Sequence, residues 1–147
     1  MSIWTKNYTL NDINQLRGEY NETINQQLDI VVTEIGEDYL KATMPVDRRT
    51  IQPFGILHGG ASCVLAETLG SVAAWMCIDA EKYRALGLEI HAHHLRPVSS
   101  GHVTGICKPI HIGRTLHLWQ IDTFNDAQKL NCTVRLSVAI REKSVLA

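Results

Sequence analysis

Residues 57–78 read LHGGASCVLAETLGSVAAWMCI, and the fold turns on how this stretch is taken. It has helical length, holds no proline, and carries one formal charge, Glu67, near its middle. A helix that is apolar all round is buried. A carboxylate carried into such a place must find partners, accept a proton or be put to use. At helical spacing Glu67 shares its face with Gly60, Cys63, Val64, Gly70, Ser71 and Ala74, mostly small or polar, which leaves room for a second backbone or a ligand. The stretch could span a bilayer by length alone. Its Ala, Gly and Ser content and the central acid argue against insertion.

The bulk properties agree with a water-facing globule. A chain of 147 residues with mean hydropathy of −0.06 suits a single domain, residues 1–147, large enough for a real core. Charged residues make up 20% and the net charge is −1, so no global field draws the chain to nucleic acid or to an anionic membrane. MSIWTKNYTL at the start lacks the apolar run of a signal peptide. Cys63, Cys77, Cys107 and Cys132 form no CxxC pair and no zinc spacing, so they read as reduced, packed thiols. A cytoplasmic protein is expected.

Taken in order, Thr9 to Arg17 predicts a short amphipathic helix opened by Thr-x-x-Asp and ended at Gly18, with a further turn through Asn21 to Gln27. Leu28–Ile35 and Tyr39–Val46 are strand-like about Gly36-Glu37-Asp38, and Arg48–Ile56 is an irregular loop into the central helix. After the helix everything is strand. Tyr83–Pro97 places Leu86, Leu88, Ile90 and Ala92 on one face and Gly87, Glu89, His91 and His93 on the other. His102–Ile112 contains Pro109, which suits an edge or a bulge. Leu116–Phe124 follows, and the last strand points Leu130, Cys132, Val134, Leu136, Val138 and Ile140 one way. These patterns predict an α+β domain in which a curved antiparallel sheet, its last four strands in hairpin order, wraps one central helix.

The candidate chemistry gathers at that helix. Leu57-His58-Gly59-Gly60 lets a ligand approach bare backbone at the helix start, where free N–H groups favour an oxyanion. Gly59 and Glu67 are separated by a rise of roughly 12 Å. One helix therefore cannot bring both to a single carbonyl carbon, and joint action calls for two chains about a twofold axis. His91 and His93 share a strand face, but no HExxH, acidic cluster or thiolate supports a metal. His94 falls on the face that meets the helix. Cys63 has no evident base to make it a nucleophile. Arg84, Arg96, Lys108, His111 and Arg114 are cations that could hold phosphate at a pocket mouth.

Several of these stretches together resemble the hotdog-fold acyl-CoA thioesterases. They are Met44-Pro45-Val46-Asp47, Gln52-Pro53-Phe54-Gly55, Leu57-His58-Gly59-Gly60-Ala61-Ser62, Leu65-Ala66-Glu67, Gly87-Leu88-Glu89-Ile90, His94-Leu95-Arg96-Pro97 and Lys108 to Arg114. The nearest branch includes 1,4-dihydroxy-2-naphthoyl-CoA hydrolases, linked to menaquinone biosynthesis, and the enterobactin-pathway proofreading thioesterase. The resemblance implies a hotdog fold, hydrolysis of aromatic CoA or carrier-protein thioesters, and no cofactor beyond the coenzyme A of the substrate. It implies no metal, and a homo-oligomer (a dimer of dimers) with sites at subunit interfaces.

Residue by residue, it implies that Glu67 is the catalytic carboxylate, as nucleophile or as general base on water. Gln52 and the Gly59 amide would act on the thioester carbonyl, His58 would position the thioester, Ser71 would help place water, and His94 would lie near the site. Gly87, His94, Leu95, Arg96 and Pro97, with His111, Ile112, Gly113, Arg114, Thr115 and Leu116, would bind coenzyme A. His91 stands where relatives carry Asn, and His93 is also unusual, a departure that bears on substrate preference and the pH profile. The rival readings are a non-catalytic acyl-CoA-binding hotdog domain, a hydratase on the same fold, and a structural oligomer.

Overall fold

The computed structural model describes residues 1–16, Tyr20 and 22–145. Six strands form one sheet, all neighbours antiparallel: Val31–Ile35 (β1), Leu40–Pro45 (β2), Tyr83–His94 (β3), His102–Ile112 (β4), Leu116–Asn125 (β5) and Leu130–Glu142 (β6). Their spatial order is β1-β2-β4-β5-β6-β3. Two short helices, Leu10–Asn14 (α1) and Ile24–Gln27 (α2), precede the sheet, and Gly59–Met76 (α3) lies against it. Thr9 caps α1 through the expected reciprocal pair with Asp12. The expected end of that helix, Arg17 to Gly18, and the start of the next at Asn21 lie outside the described residues.

The core is what alternation demands. Leu65, Ala66, Leu69, Ala73 and Met76 of α3 are fully buried against Leu40, Ala42 and Met44 of β2, Val103 and Cys107 of β4, Trp119 and Ile121 of β5, and Val134, Leu136 and Val138 of β6. Removing one of the leucines would cost about 2–5 kcal/mol by transfer and cavity formation together. The opposite stripe of α3, from Cys63 and Val64 through Glu67 and Thr68 to Ser71 and Trp75, is only half-buried. One sheet thus covers one side of a helix whose sequence is apolar on all sides. Thr5 closes its far end by donating to the Met76 carbonyl from both its amide and its hydroxyl. Among the described residues no helix is long and apolar enough to cross a membrane.

Three expectations are corrected. First, β3 and β4 are not hairpin partners: β3 pairs with β6 at the far edge, and residues 95–101 cross the end of the sheet to reach β4. Short connections favour neighbours, but here the crossing is held by hydrogen bonds, Leu95 and Arg96 both donating to the Asn131 carbonyl and Leu57 donating to that of Val98. Second, the two faces of β3 exchange at a bulge between Gly87 and Glu89. Gly87 pairs with Val138 and faces the helix with Ile90, Ala92 and His94, whereas Leu86 pairs with Ala139 and Leu88 is 59% exposed. Third, a register shift at Thr123/Phe124 turns Leu130 out of the core and buries Asn131, whose side chain accepts from Thr123. Pro109 does sit at a bulge, in the part of β4 that has outrun β2.

His117, on the inner side of β5, is 1% exposed and lies edge-on to Trp119. Burial pushes its pKa below the ordinary histidine value, against the pull of a hydrogen bond to the Gly113 backbone. The unfolded chain therefore takes up a proton that the folded chain resists, and stability should fall as pH drops below about 6.5. We expect His117→Gln, which cannot titrate, to lose less melting temperature than wild type between pH 7 and pH 5.5. Equal losses in parallel thermal melts would clear the ring of responsibility.

Candidate active site

The loop before α3 is built to present its side chains. Thr50, buried, donates to the Pro45 carbonyl at 2.8 Å and accepts from the Asp47 amide, while its own carbonyl receives the His58 N–H. Arg49 binds Asp47 at 2.6 Å and Asp29 at 2.9 Å, tying the loop to the segment behind α2 and holding the Asp47 carboxyl down at about 2. Gln52 uses its side-chain oxygen to accept from the Phe54 amide, and among the described residues its NH2 has no partner. His58 is the N-cap of α3, its Nδ1 accepting from Gly60 at 2.8 Å. An amide can only donate, so the proton of the neutral His58 ring sits on Nε2.

Of these groups Gln52, and not His58, lines a cavity of about 490 Å³ at the start of α3. Gln52, Gly59 and Ser62 form one wall, and His94 to Val98 with Asn131 form the other. The sheet-end crossing supplies that second wall. A Cβ added at Gly59 would lie 2.9 Å from His94 Nε2, so only glycine leaves the ring its place. No hydrogen bond among the described residues engages the Gly59 amide. The cavity therefore offers a free backbone N–H at the positive end of a helix, an amide NH2 and an imidazole.

Glu67 opens elsewhere. It lines a shallower cavity of about 330 Å³ with Ile24, Cys63, Val64 and Thr68, and Thr68 is fastened to Asn25 of α2 at 2.8 Å. Behind it, a methyl added at Gly87 would run into Glu67 Oε1. The bulge that turns Gly87 inward and the absence of a side chain there together make room for the carboxylate. No hydrogen bond or ion pair among the described residues receives it. Desolvation by burial raises its pKa above the ordinary carboxylate value.

The remaining expected residues separate into groups. Ser71, one turn beyond Glu67, is half-buried on the same open stripe. Leu95, Arg96 and Pro97 are exposed beside the first cavity. His111, Ile112, Arg114, Thr115 and Leu116 are exposed around Gly113 at the turn joining β4 to β5. That turn is at the opposite end of the sheet, roughly 25 Å along β5 from the strand end at His94 and Cys132. One chain does not bring the two segments together. His91 and His93 lie on the outer face of the sheet, where His91 contacts Glu89 in a cavity shared with Gln120 and Arg135. They line neither of the cavities described above, so their departure from the family pattern does not act by direct contact there. Among the described residues no three His, Cys, Asp or Glu side chains are grouped to hold a metal ion.

Comparison with known proteins decides the family. The sequence profile of the Thioesterase superfamily matches residues 54–132, which include Gly59, Glu67, Gly87 and His94. The chain is 49% identical over 138 residues to the 1,4-dihydroxy-2-naphthoyl-CoA hydrolase of Escherichia coli K12, covering 94% of this chain and 98% of that one. It belongs to the thioesterase superfamily.

The thioesterase is also 46% identical to the proofreading thioesterase EntH of Cronobacter sakazakii, covering 94% of this chain and 98% of that one. A crystal structure of a thioesterase variant from Pseudomonas aeruginosa superposes with a TM-score of 0.91 at 42% identity, covering 96% of this chain and 99% of that one. The six-stranded curved sheet with its long helix is the hotdog fold of these enzymes. Two residues at the thioesterase's first cavity were missed by patterning: Ser62 and Asn131. Ser62 was hidden in a helix that reads as uniformly small, and Asn131 in a strand whose alternation gave no sign of the register shift.

An ionised carboxylate without a partner in a partly dry setting costs stability, as functional groups commonly do. We expect Glu67→Gln to raise the melting temperature at pH 7. Because the folded pKa of Glu67 is raised, the gain should be absent below about pH 4.5 and grow as pH climbs through the folded value. Calorimetry of the two proteins across that range checks it, and a lower melting temperature for the variant at pH 7 would contradict it.

Proposed function

We propose that this thioesterase hydrolyses aromatic acyl-CoA thioesters, of the type of 1,4-dihydroxy-2-naphthoyl-CoA, in the bacterial cytoplasm and with a place in menaquinone biosynthesis. The observation that carries the reading is Glu67: a carboxylate on a thioesterase scaffold that is half-dry, unpaired among the described residues, and granted its space by Gly87. A thioester carbonyl is electrophilic and its thiolate leaves readily. The chemistry therefore needs only a carboxylate, donors for the oxyanion and a water. Glu67 acts as nucleophile or as general base, and a carboxylate with a raised pKa suits the second role near neutral pH. With Glu67 as base, the water oxygen bonds to the carbonyl carbon while its proton passes to the carboxylate. The carbon–sulfur bond then breaks, and the departing thiolate takes the proton. The Gly59 N–H and the Gln52 NH2 receive the oxyanion, His58 and His94 orient the thioester, and Ser71 places the water.

The working unit in this reading is a homodimer, paired again as a dimer of dimers. Support comes from three places. The donors and the acid line separate cavities on one chain. The two stretches assigned to coenzyme A stand at opposite ends of one sheet. Strand β3 is an open edge of 12 residues carrying exposed Leu86 and Leu88, a template for a second copy. A carrier-protein thioester is the other candidate substrate, and relative rates on the two carriers distinguish them.

Thiol release from benzoyl-CoA is expected from wild type. Glu67→Ala should lose at least about a thousandfold in kcat, the scale on which a positioned base and its charge act, while still binding the thioester. A variant that loses affinity as much as turnover would make Glu67 a structural acid and favour a binding domain. Glu67→Ala and Gln52→Ala, unfolded and refolded together, should recover roughly a quarter of wild-type activity, since half the dimers are mixed and one of their two sites is whole. No recovery in verified mixed dimers would sink the shared site.

A further inference from the structure

His94 is the imidazole of the first cavity, and among the described residues no backbone amide holds it. Its partner is a thiol. His94 and Cys132 are directly opposed in the β3–β6 ladder, both turned toward α3, and Cys132 Sγ lies 3.5 Å from His94 Nδ1. Cys132 is fully buried, and His94 Nδ1 is the only hydrogen-bonding partner its sulfur has among the described residues. The other ring nitrogen, Nε2, is the atom that packs against Gly59 at the cavity.

We propose that Cys132 is a positioning residue for this thioesterase: its buried S–H donates to His94 Nδ1 and thereby keeps the His94 proton on Nε2, facing Gly59 and the thioester. The inference rests on the hydrolytic reading of the site and adds a residue to it. A neutral imidazole has one N–H and one bare nitrogen, and whichever nitrogen is occupied from behind sets the character of the other. A bare ring nitrogen is a far better acceptor than a sulfur, so S–H to Nδ1 is the favoured direction. The thiol is available as a donor because burial pushes it up to about 11, well away from its thiolate. The result matches His58, whose Nδ1 is occupied by Gly60. Two rings thus turn an Nε2–H toward one end of α3, each fixed by a different partner.

The backbone around His94 does not depend on the thiol. Leu95 and Arg96 donate to the Asn131 carbonyl at 2.8 and 3.2 Å, and the Asn131 side chain accepts from Thr123 at 2.8 Å. Loss of the sulfur should therefore free the ring without freeing the strand end. Cysteine at this position reads in the sequence as one more small core residue, which is why its second role is invisible there.

The test uses three variants of the full chain, Cys132→Ala, Cys132→Val and Cys132→Ser, with oligomer size and melting temperature checked for each. The 15N shifts of the His94 ring report which nitrogen carries the proton. Wild type and Cys132→Ser, which retains a donor, should show the Nε2–H form. Ala and Val should show a mixture, with kcat on benzoyl-CoA lowered about tenfold at little change in KM, less than the loss seen when an oxyanion donor is deleted outright. Valine refills the volume, so a loss shared by Ala and Val but not Ser separates the hydrogen bond from packing. An unchanged tautomer in Ala and Val, an unchanged kcat, or a Ser variant as impaired as Ala overturns the proposal. Should wild type fail to release thiol at all, the hydrolytic reading falls by itself. The nitrogen shifts would still decide whether Cys132 sets the His94 proton.

Discussion

The fit between Glu67 and Gly87 is the constraint on which the rest of the molecule depends. A carboxylate on the middle of an apolar helix is tolerable only where it keeps some water and meets no side chain. Both conditions are met by the same device. The β3 bulge turns a glycine toward the helix at the one level where the acid needs room, and the strand then resumes its inward face with Ile90, Ala92 and His94. Without the bulge a larger residue would face the acid, and the carboxylate would be forced out to solvent or into the core.

The sheet covers α3 on one side only, and this incompleteness divides the chemistry. The buried side, from Leu65 to Met76, supplies the cohesion that fixes the helix. The half-buried stripe holds the acid, while the donors gather at the helix start, a full two turns away. A single chain thus carries an acid without donors in one hollow and donors without an acid in another. In the proposed dimer each half completes the other.

The end of the sheet near His94 is the second organising feature. The crossing from β3 to β4 could have been a hairpin. Instead it is drawn over the sheet end by the Asn131 carbonyl and locked under the loop that leads into α3. This places residues from strand, crossing, loop and helix around one cavity. Rigidity there comes from backbone hydrogen bonds and the Thr123–Asn131 side-chain pair, while the ring of His94 has the Cys132 thiol as its partner.

The sequence alone determined the element inventory, because burial of one face imposes a period that can be read residue by residue. The long uncharged helix with its lone acid, the strict alternation of Cys132 to Ile140, the Thr9–Asp12 cap and the Gly59-Gly60 helix start are all local in this sense. The family motifs, read together, also pointed to the hotdog fold and to Glu67. What only the tertiary structure decided are the features where the period slips. The β3 bulge moved Gly87 from the far face to the acid's side, the shift near Asn131 buried a polar residue, and β3 paired with β6 in place of β4. A slip of one residue reverses every face that follows it, and it is set by hydrogen bonds between segments distant in the chain, which no local pattern records.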